Sequence, residues 1–230
     1  MSEHMALENL TVLDLTRVLA GPFCTMMLAD MGANVIKIEV PKGGDDTRSY
    51  PPFRAKNLNG ERESVYFANI NRNKKGITLN LKAPEGKEIF KELVKKADIV
   101  VENYRPGVMD KLGLGYDVLK EINPRIIYAA VSGFGCYGPY HLRPGYDILA
   151  QAMGGMMSIT GSKGGEPTRA GSALGDILGG LHVTIGILAA VNARTITGKG
   201  QRVDVSLMDS MIAATENTAL KCIETGNIPA

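Results

Sequence analysis

Short apolar runs alternate with segments of helical periodicity along most of this 230-residue chain. Residues 10–15 are apolar and β-rich, followed by Gly21-Pro22 and a helical stretch to Met31. Further strands are predicted over 34–38, 77–81, 99–101, 126–131 and 203–207. A helix opens at Pro84, a favoured first helical position, with Ile89, Phe90, Leu93 and Val94 as its buried stripe. Others are predicted over 146–157, over 177–194 and from 207 to about Thr225. This alternation argues for an α/β fold with a largely parallel sheet covered on both faces.

In such sheets ligands bind beyond the carboxyl ends of the strands. Those ends carry Arg17-Val18-Leu19-Ala20-Gly21-Pro22, Glu102-Asn103-Tyr104-Arg105-Pro106-Gly107 and Ser132-Gly133-Phe134-Gly135. Residues 42–62 are polar, contain Pro51-Pro52 and read as a long loop, either functional or a plain surface excursion. Residues 133–138 fit G-x-G-x-x-G after a strand, but Pro139, Pro144 and Gly145 follow where a dinucleotide fold needs a helix. A loop lining some other ligand fits better. Thr78, Asn80 and Lys82 share one face of an alternating strand. That pattern suits an edge strand with a wet face, or a Lys82 turned toward a phosphate.

Asp176 precedes an apolar helix, the place of an N-cap carboxylate. Gly179 and Gly180 then fall in the first turn, where each costs about 1 kcal/mol relative to alanine. Close approach of a ligand or another backbone is one reason to keep them. A carboxylate at the positive helix end would stay ionised, as a nucleophile requires. His4, His141 and His182 offer little. His182 lies about 240° around the helix from Asp176, so a histidine-based triad has poor support.

Composition adds mainly exclusions. Hydrophobic residues make up 44% and charged residues 22%, with net charge +2. That is ordinary for a globular domain and too mild to argue for nucleic acid or an anionic membrane. Cys24, Cys136 and Cys222 are three and far apart, so neither a disulfide framework nor a metal site is expected. No signal-peptide pattern opens the chain. The apolar run 185–191 is too short to span a bilayer. The expectation is a cytoplasmic protein.

From about Leu7 onward the sequence resembles the class III coenzyme A-transferases, the formyl-CoA transferase/CaiB–BaiF family. The resemblance rests on Val12-Leu13-Asp14-Leu15, Ala20-Gly21-Pro22, Gly32-Ala33-Asn34-Val35-Ile36-Lys37-Ile38-Glu39 and Gly44-Asp45-Asp46-Thr47-Arg48. It continues through Asn73-Lys74-Lys75, Val101-Glu102-Asn103-Tyr104-Arg105-Pro106-Gly107, Arg143-Pro144-Gly145-Tyr146-Asp147, Leu174-Gly175-Asp176 and Thr197-Gly198-Lys199-Gly200-Gln201. It implies a Rossmann-like large domain that moves coenzyme A from an acyl-CoA to a free carboxylic acid, with both as substrates and no tightly bound cofactor. Asp176 would be the nucleophile, passing through an anhydride and an aspartyl-CoA thioester. Nearby glycine N–H groups would suit the developing oxyanions. Leu19 and Ala20 would lie near the thioester, and Tyr146 beside the nucleophile. Lys82, Asn103, Tyr104, Arg105, Lys111 and Arg143 would hold the nucleotide and its phosphates.

The chain also departs from that pattern. Leu19 stands where formyl-CoA transferases have glutamine, which argues against formyl-CoA. Val40 stands where a basic residue can flank the adenine, with Lys42 as a possible substitute. Members of the family are longer, so the chain reads as a fragment. Residues 1–205 would be the CoA-binding domain, and 206–230 a helix and linker toward a second, smaller domain. The resemblance further implies an interlocked homodimer. Two rivals remain. One is a 2-methylacyl-CoA racemase, which needs a histidine where Tyr146 stands; the other is a non-catalytic CoA-binding chain. Nothing in the sequence names the donor or the acceptor.

Overall fold

The structure, a computed structural model, describes residues 4–54 and 62–227. Its frame is a six-stranded sheet, with strands β1 (Thr11–Asp14), β2 (Asn34–Glu39), β3 (Lys75–Thr78), β4 (Ile99–Glu102), β5 (Ile127–Ser132) and β6 (Arg202–Ser206). Their spatial order is 3-2-1-4-5-6, and every pairing is parallel. This is the doubly wound order, whose direction reverses between β1 and β4 and opens a crevice at their carboxyl ends.

The helices are α1 (Ala20–Asp30), α2 (Val65–Ile70), α3 (Pro84–Val94), α4 (Val108–Leu112), α5 (Tyr116–Ile122), α6 (Asp147–Met153), α7 (Leu174–Thr197), α8 (Leu207–Ala214) and α9 (Asn217–Thr225). The central strands are apolar on both faces. Val12, Ile99, Val101, Ile127, Ala129 and Val131 pack under α1 and α7, in one core that also holds Leu28, Val183 and Ile187. Leu13, Val100, Tyr128 and Ala130 point the other way, into a second core with Phe90, Val94 and Leu119. The two-residue alternation of strand side chains thus fills two hydrophobic layers.

The strand expectations hold within a few residues, but the edge strand differs. It is β3 at Lys75–Thr78, exposed along its length, and residues 79–82 leave the sheet as a loop. The alternation over 77–82 therefore records a short exposed edge strand followed by a loop in which Leu79 and Leu81 turn inward, not one strand with a wet face. The short helices α2, α4 and α5 follow no long apolar period and were not expected. Part of the predicted 42–62 loop, residues 55–61, lies outside the described residues. The rest includes a 3-10 turn at Asp46–Ser49 and a two-residue antiparallel pairing of Phe53–Arg54 with Glu63–Ser64.

α7 is longer than the apolar run at its centre. Its 24 residues are long and apolar enough to cross a membrane by length and composition. In this fold one side of it lies on the sheet and α1. A Cβ on Gly180 would sit 2.8 Å from the Ala20 carbonyl oxygen, and one on Gly179 2.4 Å from Leu207 Cδ2. The two glycines let α7 settle against α1 and α8, which accounts for their place in a helix. Near its other end Arg194 is buried and pairs with Asp98 at 3.0 Å.

Candidate active site

A cavity of about 860 Å³ opens at the carboxyl edge of the sheet, over the crevice between β1 and β4. Its floor and walls come from the segments after β1 to β5, the loop before α6 and the first turn of α7. Leu19, Ala20, Lys82, Asn103, Tyr104, Arg105, Arg143, Tyr146 and Asp176 all line it. Lys111 does not. Val108 and Leu112, one turn apart on α4, face the cavity, and Lys111 is offset by about 100° from Leu112 into solvent.

The loop after β1 is held by charges buried beneath it. Asp14 accepts hydrogen bonds from the Thr16 N–H (2.9 Å), the Thr16 hydroxyl, the Thr25 hydroxyl (2.7 Å) and Lys74 Nζ (3.1 Å). Lys37 Nζ donates to the Thr16 carbonyl at 2.8 Å and pairs with Asp45 at 2.9 Å. Burial alone would raise the Asp14 carboxyl; Lys74, Lys37 and the two hydroxyls hold it below its usual value. Removing one partner of such a pair strands a buried charge, a loss of about 3–5 kcal/mol. Above this cluster Val18 has φ 68°, a left-handed conformation that is strained for a β-branched residue. Asn103 fixes it from the β4 side. Its amide donates to the Arg17 carbonyl (2.7 Å) and its oxygen accepts the Arg17 N–H (2.9 Å). Asn103 thus shapes the wall as well as lining it.

Two further walls place the cations. Arg143 lies 4.0 Å over the Tyr140 ring, which meets Phe134 edge-on, and so is aimed by an aromatic shelf. The Gly133 and Gly145 backbones touch; a Cβ on Gly133 would fall 2.2 Å from Gly145 Cα. Gly133 therefore permits a crossing of two loops. Gly135 and Gly138 stay outside the cavity, and no helix opens at the end of this G-x-G-x-x-G segment. Arg17, also in the lining, pairs across the mouth with Asp46.

The expected N-cap role for Asp176 does not survive. α7 begins at Leu174 after Ala173, so Asp176 is its third residue. The cap is supplied from α6, where Asp147 Oδ1 accepts the Gly175 N–H at 2.8 Å. Gly175's amide is engaged there, and Gly179 and Gly180 lie within the helix, so these glycines are not the open donors expected for an oxyanion. Asp176 itself is half-buried, and its carboxyl is pushed up to about 6. Burial is the main cause, then the charge of Asp147, with Arg169 opposing. At pH 7 such a group is still ionised about ten to one.

The family model of CoA-transferase family III matches residues 7–230. The chain belongs to this family. An acetyl-CoA:oxalate CoA-transferase of Acetobacter aceti is 48% identical over 224 residues, covering 97% of this chain and 56% of the relative. A succinyl-CoA:mesaconate CoA-transferase of Haloarcula marismortui is 47% identical over 230 residues, covering 97% and 57%. The crystal structure of a CAIB/BAIF family protein from Brucella suis superposes with a TM-score of 0.93 at 44% identity, covering 99% of this chain and 60% of that one. The chain thus spans a little over half the length of the curated relatives it matches.

In this family III chain several residues at the site had carried no role in the sequence. Asp147 was visible only as the end of the Arg143-to-Asp147 motif. Burial and then the charge of Asp176 push the phenol of Tyr66, on α2, to about 12. Asp14 and Lys37 could have been noticed as lone charges inside apolar strands, the usual mark of a buried ion pair. Among the described residues no group of three or more His, Cys, Asp or Glu could hold a metal ion.

Proposed function

We propose that this chain is the CoA-binding, nucleophile-bearing part of an acyl-CoA:carboxylate CoA-transferase, with Asp176 as the nucleophile. The observation that supports it is the freedom of Asp176. Asp147 already caps the helix, so a half-buried carboxylate is left lining a ligand-sized cavity that Leu19, Ala20 and Tyr146 also line.

An Asp176 oxygen attacks the thioester carbonyl carbon, the C–S bond breaks, and the CoA thiolate leaves with the electron pair. The thiolate then attacks the Asp176 carbonyl carbon of the mixed anhydride. The donor acid departs, and an aspartyl thioester remains. The acceptor carboxylate takes the coenzyme by the reverse steps and restores the carboxylate. Each covalent stage replaces one difficult exchange by easier ones. Lys82, Arg105 and Arg143 offer positive charge to the phosphates, and Asn103 and Tyr104 line the nucleotide wall. The two relatives named above use oxalate and mesaconate, so a small dicarboxylic acid is the acceptor class in this reading. Tyr146 stands where a 2-methylacyl-CoA racemase needs a histidine, so transfer fits this site better than a racemase's proton exchange. Residues 1–205 would be the large domain, and 206–230 would lead toward a second domain of an interlocked homodimer.

The test is Asp176→Asn and Asp176→Ser in the whole protein. Both should stay folded and lose nearly all transfer. Wild-type enzyme given acyl-CoA and then hydroxylamine should carry a hydroxamate at Asp176, read by peptide mass. An active Asp176→Asn enzyme, checked for deamidation, would end this assignment.

A further inference from the structure

We infer that Asp147 is the positioning residue of the nucleophile, capping α7 one residue ahead of Asp176 and favouring the loss of negative charge from Asp176 during acyl transfer. The inference rests on the assignment of Asp176 as nucleophile.

Asp147 is only 8% exposed, yet it lines the same cavity as Asp176. Both of its oxygens are engaged. Oδ1 accepts the Gly175 N–H at 2.8 Å, and Oδ2 accepts from Gln151 Nε2 at 2.8 Å and faces the Arg169 guanidinium at 3.4 Å. Gln151, fully buried, extends the hold. Its Oε1 accepts the Ala170 N–H at 2.9 Å, and its Nε2 also donates to the Ser172 carbonyl at 3.3 Å. α6 thereby grips the chain from Ala170 to Gly175, the segment that delivers Asp176. Gly175 suits this grip, because a Cβ there would lie 3.2 Å from Asp147 Oδ1 and 3.3 Å from Ala150 Cβ.

The charge of Asp147 matters because of what the step does to Asp176. In the attack, a C–O bond forms at the thioester carbon and a C–S bond breaks. The negative charge that began on Asp176 ends on sulfur. A fixed anion beside Asp176 raises the energy of the ionised nucleophile and is relieved when that charge departs. The charges that act on Asp176 are Asp147 from α6 and Arg169 from the segment before α7, and the Asp176 charge in turn acts on Tyr66 of α2. Tyr146 and Arg143 share the cavity wall. Asp147 and Arg169 therefore push Asp176 in opposite directions.

Asp147→Asn keeps a good capping acceptor and removes the charge, whereas Asp147→Ala removes both. The pH dependence of kcat/KM for acyl-CoA, melting temperature and hydroxamate yield at Asp176 are measured on the whole protein. With Asp147→Asn the acidic limb should move down by about one pH unit, and kcat at neutral pH should fall about tenfold. Its KM should stay near wild type, and its melting temperature should fall less than that of Asp147→Ala, because the amide keeps the acceptor for Gly175 N–H and loses the one for Gln151 Nε2. Arg169→Gln should move the limb upward. Asp147→Ala should lose more activity and some thermal stability. An Asp147→Asn enzyme with an unmoved limb and normal kcat would overturn the inference while leaving the nucleophile in place. So would a loss of rate matched by a melting temperature as low as that of Asp147→Ala. A wild-type enzyme that forms no hydroxamate at Asp176 would overturn the nucleophile assignment itself, and this inference with it.

Discussion

At the scale of single residues, lining the cavity separates candidates that looked alike in sequence. Lys82 and Arg143 reach the cavity, and Arg143 is held by its stack on Tyr140. Lys111 stands in solvent on a short helix whose apolar residues face inward. Charge reversal at Lys82 or Arg143 should weaken CoA binding roughly tenfold or more, because a charged hydrogen bond is replaced by repulsion. The loss should grow at low salt. Lys111→Glu should stay within about twofold, as expected for an exposed charge. Calorimetric titration with CoA checks all three, and an equal loss at Lys111 would show that the nucleotide extends beyond this cavity. Asp14 and Lys37 teach a related lesson. They do not line this cavity, but their buried pairs hold Thr16 and hence the strained Val18 that does.

At the scale of elements, the start of α7 is set by α1, α6 and α8 together. Gly179 and Gly180 let α7 come within contact of Leu207 and of the Ala20 carbonyl. Gly180→Ala would gain about 1 kcal/mol of helix propensity. It would also drive a methyl group to 2.8 Å from that carbonyl, an overpacking that costs about 1–3 kcal/mol. The expected net result is destabilisation of up to about 2 kcal/mol by urea unfolding. KM for acyl-CoA should also rise, because Leu19 and Ala20 begin the helix being displaced. A Gly180→Ala enzyme that is more stable, with an unchanged KM, would show that α1 yields freely.

At the scale of the whole molecule, stability and site share a buried acid. Glu102 closes β4, accepts the Tyr104 N–H at 2.7 Å and the Tyr128 hydroxyl at 3.1 Å, and is pushed up to about 7. Burial is the main cause, opposed by those two hydrogen bonds and Arg202, and assisted by Asp204. The folded chain keeps this proton up to about pH 7, whereas the unfolded chain releases it at the usual glutamate value. Stability from Glu102 is therefore full at low pH and is lost as pH rises through about 7. Asp14, Asp45 and Glu39 are held low and act in the opposite sense, losing stability as pH falls through their folded values. Urea unfolding at pH 5 and pH 8 should show Glu102→Gln gaining on wild type by an amount on the order of 3 kcal/mol between the two. A difference that does not vary with pH would mean that Glu102 is ionised when folded.

The doubly covered sheet was legible because side chains in a strand alternate and helices repeat every 3.6 residues, so apolar spacing alone encodes which faces are buried. The order of motifs along Leu174-Gly175-Asp176 and Asn103-Tyr104 also pointed to the site, and Asp176, Asn103 and Tyr104 line one cavity. Short α4 and α5 escaped because a helix of one or two turns leaves too little period to read. Local sequence also placed Asp176 at a helix start but could not say which carboxylate caps that helix. The cap comes from Asp147, 28 positions away in the chain, and only packing of α6 against α7 brings it there. The same holds for Lys74 under Asp14 and Asn103 on Arg17. Periodicity is a local property carried by neighbouring residues. Pairing of buried charges and capping across elements depend on distances that exist only once the sheet has closed.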